Sequence, residues 1–317
     1  MPVQYNSKTT GSELVRGLAD NIKGKVILTT GVSPGGLGAQ FVETVAAASP
    51  ALLIIAGRNT AKVQQTADAI AKAHPGVKTR PLRLDLGSLA AVREAAAEVN
   101  SWDDVPAIDV LVNNAGIMAS QFGANHLGHF LFTNLIMGKI LVASKPRVVN
   151  VSSDGHRLSP IRFYNYNFDG GKNYHRWTAY GQSKTANMLM ALSLGQKLAS
   201  SGLLAVSVHP GVIASNLLAH LDVAAAMEDM WPPDRTMGNQ WGWDKDLYEF
   251  KTADGGVATH VFGAFHPLVE GHNGAYLLDA HVADPYTDTY ASWARDPIEA
   301  DKLWRLSEKL VGQEFAY

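Results

Sequence analysis

Tyr180 and Lys184 stand four residues apart in the run Trp177-Thr178-Ala179-Tyr180-Gly181-Gln182-Ser183-Lys184-Thr185-Ala186-Asn187. The run reads as part of a helix over 178–201, and residues i and i+4 of a helix share a face. A free tyrosine titrates near pH ~10, too high for easy proton exchange at neutral pH, and a neighbouring ammonium draws that value down. Such a pair suits a reaction in which an oxyanion gains a proton or an alcohol loses one, as when hydride adds to or leaves a carbonyl carbon. A hydroxyl that holds the substrate oxygen would complete the set. Ser152 and Ser153 follow a predicted strand over 147–151 and stand where a parallel sheet presents groups to ligand. Taken alone, a Tyr-x-x-x-Lys pair is common and mostly structural.

A second set of residues suits a dinucleotide. Thr30-Gly31-Val32-Ser33-Pro34-Gly35-Gly36-Leu37-Gly38 follows an apolar run, Val26-Ile27-Leu28, and opens an alanine-rich helix over 38–48. Glycines let the backbone approach a pyrophosphate, and a helix N-terminus offers free N–H groups and a favourable dipole. No Gly-Lys-Ser/Thr closes the motif, which disfavours the alternative phosphate loop. The next strand ends Ala56-Gly57-Arg58-Asn59. The position offers a guanidinium where NAD sites usually carry a carboxylate, so a 2′-phosphate, and with it NADP(H) over NAD(H), is expected. Arg58 read blandly is a solvated surface residue. Asp85 either accepts from an adenine amino group or caps its own loop through Gly87-Ser88.

Short apolar runs at 25–30, 52–56, 78–84, 108–112, 147–151, 203–208 and 274–278 alternate with helical patterns at 38–48, 60–73, 89–99, 126–143 and 178–201. Runs rather than alternation mark strands buried on both faces. The expected fold is α/β: a Rossmann-type doubly wound parallel sheet of about seven strands with helices on both faces. One domain is expected over 1–317, with residues 1–23 as an N-terminal arm whose helix starts at the capping-box pattern Thr10-Gly11-Ser12-Glu13. The irregular stretch 212–252 carries Met227, Met230, Trp231, Pro232, Pro233, Met237, Trp241 and Trp243. It reads as a substrate lid, or else as a surface insertion packed by its own aromatics.

The 317 residues are 46% hydrophobic and 18% charged, with a formal net charge of -2 and no cysteine. These values describe a folded globular chain and disfavour a nucleic-acid footprint. Disulfides, zinc thiolates and a cysteine nucleophile are excluded. No signal peptide or clean transmembrane span is read, and a cytoplasmic place is expected. Histidines are plentiful, and His126 and His129 share a predicted helix, but no acidic partner converges on them and no metal is expected. No Gly-x-Ser-x-Gly elbow surrounds Ser153, so esterase chemistry is disfavoured. Leu303, Trp304, Leu306 and Leu310 form an apolar stripe for tail packing or a subunit contact.

Taken together and in order, these motifs resemble the short-chain dehydrogenase/reductase family. The turn 31–38, Asn113-Asn114-Ala115-Gly116, Asn125, Ser153, Tyr180 with Lys184, and Pro210-Gly211 carry the resemblance over residues 25–215. It implies that Tyr180 is the general acid/base, Ser153 positions the carbonyl, and Asn125 joins a water-linked proton relay. Lys184 would bind the nicotinamide ribose and lower the Tyr180 pKa. Cofactor contacts are implied for Gly31, Ser33, Gly35, Gly36, Leu37, Gly38, Arg58, Asp85, Leu86, Asn114, Ala115, Gly116, Tyr180, Lys184, Pro210, Gly211, Val212 and Ser215. The runs Asn125-His126-Leu127-Gly128-His129-Phe130 and Tyr180–Asn187 resemble the retinol-dehydrogenase-like branch, filamentous-fungal members included.

The expectation is an NADP(H)-dependent carbonyl reductase or alcohol dehydrogenase. Its substrate would be an apolar or aromatic ketone, aldehyde or secondary-metabolite intermediate, and it would work as a homodimer. The alternatives are enoyl or imine reduction, dehydration or epimerisation, and a non-catalytic cofactor-binding scaffold. Three features depart from the family pattern. The glycine turn carries one extra residue, with Gly31, Gly36 and Gly38 read as the three required glycines. The connection 116–125 is short. The stretch 154–178 is long, and its aromatics Phe163, Tyr164, Tyr166, Phe168, Tyr174 and Trp177 either shape an apolar substrate site or pack the insertion.

Overall fold

The computed structural model describes residues 5–118, 121–213, 223–239 and 250–317. Thr10 caps the first helix, α1 (Gly11–Gly17), by accepting from Glu13 N at 3.2 Å. The segment read as an arm is docked: Leu14 and Val15 are buried, and Ser12 N donates to Asp254 Oδ1 at 2.9 Å. A short helix α2 (Ala19–Ile22) leads into β1 (Val26–Thr30). Two crossovers follow, α3 (Leu37–Ala46) to β2 (Leu52–Gly57) and α4 (Thr60–Ala73) to β3 (Thr79–Arg83). Helix α5 (Leu89–Asn100) then leads to β4 (Val110–Asn113).

Beyond β4 the chain makes a π-helical turn, Phe122–Leu127, and then α6 (Gly128–Leu135) and α7 (Met137–Leu141). The single helix expected over 126–143 is therefore three pieces. The Gly128 N–H reaches back five residues to Gly123 O, and Ile136 leaves the helical region at φ -100, ψ 6. Strand β5 (Arg147–Val151), the 3-10 turn Asp154–Leu158, α8 (Arg176–Leu198) and β6 (Leu204–His209) follow. The last elements are α9 (Val223–Glu228), α10 (Trp231–Thr236), α11 (Ala253–Phe265), β7 (Tyr276–Leu278), β8 (His281–Val282) and α12 (Pro297–Val311).

The described residues form one eight-stranded sheet in the order β3-β2-β1-β4-β5-β6-β7-β8. Every neighbouring pair from β3 to β7 is parallel, and β8 returns antiparallel to β7. This is the doubly wound Rossmann-type sheet, with one edge strand more than the apolar runs announced. Successive strand residues feed opposite faces. Ile27, Leu53, Val112 and Val149 pack with α1, α3, α4 and α11, whereas Leu28, Ile54, Leu111 and Val148 pack with α5, α6 and α8. Both faces are dry, which is why the strands read as unbroken apolar runs. Leu303 and Trp304 of α12 are buried, with Trp304 edge-on to Phe130 at 4.9 Å, so this part of the C-terminal stripe packs the tail.

Gly128 marks a tight contact between α6 and the start of the third crossover, between β3 and α5. A Cβ there would lie 2.4 Å from Leu86 O. Gly128→Ala is expected to cost about 1–3 kcal/mol through overpacking, read as a fall of a few degrees in the thermal midpoint.

Candidate active site

Helix α8 carries Tyr180 and Lys184 to the carboxyl ends of β5 and β6, and most of its residues are buried. Lys184 Nζ donates to Val151 O at 3.1 Å and lies 5.5 Å from the centre of the Tyr180 ring. The ammonium thus faces the ring. Burial pushes Lys184 down to about 8 and raises the Tyr180 phenol above its ordinary value, against a smaller lowering by its hydrogen bond with Ser153. Burial of the phenol thus acts against the lowering expected from Lys184.

Ser153 starts the 3-10 turn and its Oγ accepts from Gly155 N at 3.1 Å. Ser152 faces elsewhere, its Oγ donating to Lys184 O at 2.8 Å. Gly155 has no room for a side chain, since a Cβ would lie 2.6 Å from Tyr180 Cε1 and 3.4 Å from Ser153 Oγ. Asn125 lies within the π turn, fully buried. Its Oδ1 accepts from Ile117 N at 2.9 Å, and its Nδ2 donates to Ile117 O at 3.1 Å and Ser183 Oγ at 3.2 Å. The structure brings Asn125, Ser153, Tyr180 and Lys184 to one end of the sheet.

The glycine turn begins where β1 ends. Gly31 (φ +76) lies against Ala115, with a Cβ position 2.7 Å from Ala115 Cα. A Cβ on Gly38 would lie 2.5 Å from both Asn114 Nδ2 and Gly31 O. Gly35, read as the extra glycine, also adopts a positive φ of 76, while Gly36 is the N-cap of α3 at φ -99, ψ 161. The turn therefore requires glycine at 35 on conformational grounds that the motif spacing hides. Ser33 O accepts from Gly36 N at 3.0 Å, closing the turn. No side chain caps α3, so its first-turn N–H groups, from Leu37 onward, face the cradle the glycines leave. This cradle fits a dinucleotide pyrophosphate.

Arg58 follows β2, exposed, with no hydrogen bond or ion pair among the described residues. Asp85 caps its own loop, Oδ1 accepting from Gly87 N at 3.0 Å. Leu86 is buried in the core beneath α6, which leaves only its backbone for a ligand. Asn114 Nδ2 donates to Thr30 O at 2.8 Å, and Asn113 Nδ2 ties β4 to Thr133 and to Asn150 of β5, each at 2.9 Å. Thr30 Oγ1 accepts from Asn114 N and Ala115 N, each at 3.0 Å. Gly116 borders Lys184 and Asn125 at ordinary contact distance.

After β6, Gly211 (φ +92) runs against the Lys251 side chain, and Val212 O accepts from Lys251 N at 2.9 Å. Pro210 is buried, and Ser215 lies outside the described residues, as do Trp241 and Trp243.

Two contacts at the site went unread in the sequence. Thr30 Oγ1 meets His129 Nε2 at 2.8 Å, and His129 Nδ1 meets Asn125 O at 3.0 Å. The histidine pair His126/His129 does not converge: His126 Nε2 bonds Ser307 Oγ at 2.8 Å. The aromatics of 154–178 divide. Trp177 packs edge-on against Tyr180 at 5.9 Å within an apolar cluster that includes Leu158, Ala226 and Met230. Phe168 packs with Tyr174 and Arg162 instead, and Tyr164 is exposed, so most of that stretch packs the insertion.

A family model for short chain dehydrogenases matches residues 25–225. The chain belongs to the short-chain dehydrogenase family. It is 36% identical over 314 residues to the short-chain dehydrogenase/reductase prx1 of Penicillium rubens, covering 92% of this chain and 86% of that one. Human retinol dehydrogenase 14 is 30% identical over 313 residues, covering 91% and 87%. Among solved structures, a Mycobacterium paratuberculosis protein superposes with a TM-score of 0.66 at 29% identity, covering 94% and 98%. An NADPH-bound carbonyl reductase from chicken fatty liver shares the fold, with a TM-score of 0.60 at 21% identity, covering 82% and 99%. This short-chain dehydrogenase is an NAD(P)(H)-dependent oxidoreductase acting on a carbonyl or alcohol. Among its described residues no helix is long and apolar enough to cross a membrane.

The buried ammonium has a measurable signature. A lysine with folded pKa about 8 and ordinary value 10.5 destabilises the fold most below pH 8, where it is charged in both states. That cost fades as pH rises from 8 to 10.5. Lys184→Met is therefore expected to raise the melting temperature of the ligand-free protein at pH 7, and the gain should shrink toward zero near pH 10.5. A second variant, Gly155→Ala, displaces the Tyr180 ring. It should lower kcat by about 100-fold while the cofactor dissociation constant stays within about twofold of wild type.

Proposed function

We propose that this short-chain dehydrogenase is an NADP(H)-dependent carbonyl reductase/alcohol dehydrogenase of the retinol-dehydrogenase-like branch, acting on an apolar or aromatic ketone, aldehyde or alcohol. The observation that carries the reading is the setting of Tyr180, with its hydroxyl at Ser153, its ring beside Lys184, and Trp177, Leu158 and Met230 around it. A polar substrate would forfeit its hydration against such a wall, whereas an apolar one gains by burial. A relative at 30% identity, human retinol dehydrogenase 14, bears a name that points the same way.

Gly31, Gly35, Gly38 and the N-terminus of α3 would hold the pyrophosphate, Arg58 the 2′-phosphate, and Lys184 and the 210–213 segment the nicotinamide end. When bound, the nicotinamide supplies a hydride to the carbonyl carbon or takes one from the carbinol. Ser153 Oγ orients the substrate oxygen. In reduction Tyr180 donates its phenolic proton to that oxygen as the carbon–oxygen π bond opens, and Lys184 stabilises the phenolate left behind. Asn125 holds the 116–118 segment beside Lys184.

Segment 212–252 serves in this reading as a substrate lid. Its described part is tied to the site: Trp177 Nε1 donates to Ala226 O at 2.6 Å, and Asp229 pairs with His175 and Arg176 at 3.3 and 3.4 Å.

Titration with NADPH and NADH, followed by nicotinamide fluorescence, tests the cofactor assignment. Wild type should bind NADPH more tightly. Arg58→Ala should weaken NADPH by roughly 10–100-fold, the worth of a charge-assisted hydrogen bond, and leave NADH unchanged. Binding of neither cofactor would sink the reading. With NADPH present, decanal, 4-nitrobenzaldehyde and all-trans-retinal are the substrates to try. Tyr180→Phe should lower turnover by about 10²–10⁴-fold.

A further inference from the structure

Two histidines hold the turn carrying Ser153. His156 Nδ1 meets Ser153 O at 2.8 Å, and its Nε2 accepts from Ala291 N at 3.1 Å. An amide N–H only donates and a carbonyl only accepts, so the ring has one tautomer, with its proton on Nδ1. Burial lowers its pKa and keeps it neutral. On the other side of the turn Asp154 N donates to His209 Nδ1 at 3.2 Å. The His156 carbonyl is engaged as well, accepting from Thr185 Oγ1 at 3.0 Å and Trp293 Nε1 at 3.3 Å. The ring is edge-on to Tyr276 at 5.2 Å. One buried imidazole thus joins the loop beyond β8 to the carbonyl of the serine that meets Tyr180.

A residue that only filled space here would need neither ring nitrogen. His156 uses both, in a turn that has no slack, because the Tyr180 ring occupies the place of a side chain on Gly155. We propose that His156 is a positioning residue: it clamps Ser153 O to the Ala291 amide and so fixes Ser153 Oγ against the Tyr180 hydroxyl. The loop around 291–293, well beyond the last sequence motif at Pro210-Gly211, then sets the geometry of the acid/base pair. The proposal builds on the reading of Ser153 and Tyr180 as the reacting pair, but the contact it concerns is measurable without substrate or cofactor.

Fluorine NMR of the ligand-free full chain labelled with 3-fluorotyrosine reports on that contact, with the Tyr180 signal assigned by Tyr180→Phe. His156→Gln places an amide near the Nε2 position and gives up the bond to Ser153 O. His156→Asn places an amide near Nδ1 and keeps it. His156→Gln should shift the Tyr180 signal in the same direction as Ser153→Ala. It should also raise the Tyr180 titration midpoint by roughly 0.5–1 pH unit, the worth of one neutral hydrogen bond. His156→Asn should stay closer to wild type.

An unmoved Tyr180 signal in His156→Gln, with Ser153→Ala moving it, would overturn the proposal. So would equal shifts in the Gln and Asn variants, which would mark a packing residue. Should His156→Gln fail to fold, Ala291→Pro removes the outer anchor at a backbone φ of -62 that suits proline. It should shift the same signal, and no shift would overturn the proposal. Failure of the oxidoreductase reading would show in the NADPH titration and leave this measurement unaffected.

Discussion

Helix α8 reaches the strand ends only because its backbone lies almost on the turn that follows β5. A Cβ on Gly181 would fall 2.7 Å from Ser159 N and 2.9 Å from Gly155 O, and one on Gly155 would enter the Tyr180 ring. Two glycines, one in the helix and one in the turn, therefore set the distance between the helix that carries Tyr180 and Lys184 and the segment that carries Ser153. At that distance polar side chains stitch the two together. Ser152 Oγ donates to Lys184 O, Thr185 Oγ1 to Ser159 O and Asn187 Nδ2 to Val151 O, at 2.8, 2.8 and 3.0 Å. Each bond replaces water that the close approach expels, and loss of one partner would leave a buried polar group costing about 1–3 kcal/mol.

The same accounting explains the irregular backbone before α6. Thr30 at the end of β1, the peptide after β4 and the Asn125 carbonyl meet around His129. With Nδ1 donating to Asn125 O, Nε2 must accept, so the Thr30 hydroxyl donates to it and is left to accept from Asn114 N and Ala115 N. Burial holds His129 down to about 4 and keeps it neutral. The π turn also lets the Asn125 side chain serve both the backbone N–H and the C=O of Ile117.

The strands and most helices were legible because both faces of a parallel sheet must be dry, and continuous apolar runs follow from that alone. The capping box at Thr10 was legible because it is a local hydrogen bond with a fixed spacing. Features decided by distant contacts were not. The two-residue turn into β8 uses Asp279 and Ala280 at φ 48 and 57 without a glycine, and it persists because Lys251 pairs with Asp279 and Ala280 N donates to Thr259 Oγ1 at 3.2 Å. The breaks within 126–143, the conformational need for glycine at 35 and the clamp through His156 have the same origin. Among the predicted site residues, Asn125, Ser153, Tyr180 and Lys184 were readable as a set through their order along the chain. Leu86 was not, since it is buried against Gly128, beyond α5, β4 and the π turn.

Burial acts on the two charged forms at the centre in opposite directions on the pKa scale. It raises the phenol above its ordinary value and brings the ammonium down to about 8, because low-dielectric surroundings disfavour phenolate and ammonium alike. At neutral pH the resting chain therefore holds a neutral Tyr180 beside a Lys184 that is mostly protonated and poorly solvated. A phenolate formed in the proposed reduction would be the counter-ion that Lys184 lacks. The attraction between them is strong for the same reason that each charge alone is costly. The solvation the ammonium forgoes in the resting state is returned when the proton leaves Tyr180, so the stabilisation falls on proton transfer and not on substrate binding. The same burial that fixes the geometry of α8 thereby directs the electrostatics of the pair toward the charged state formed in the proposed reduction.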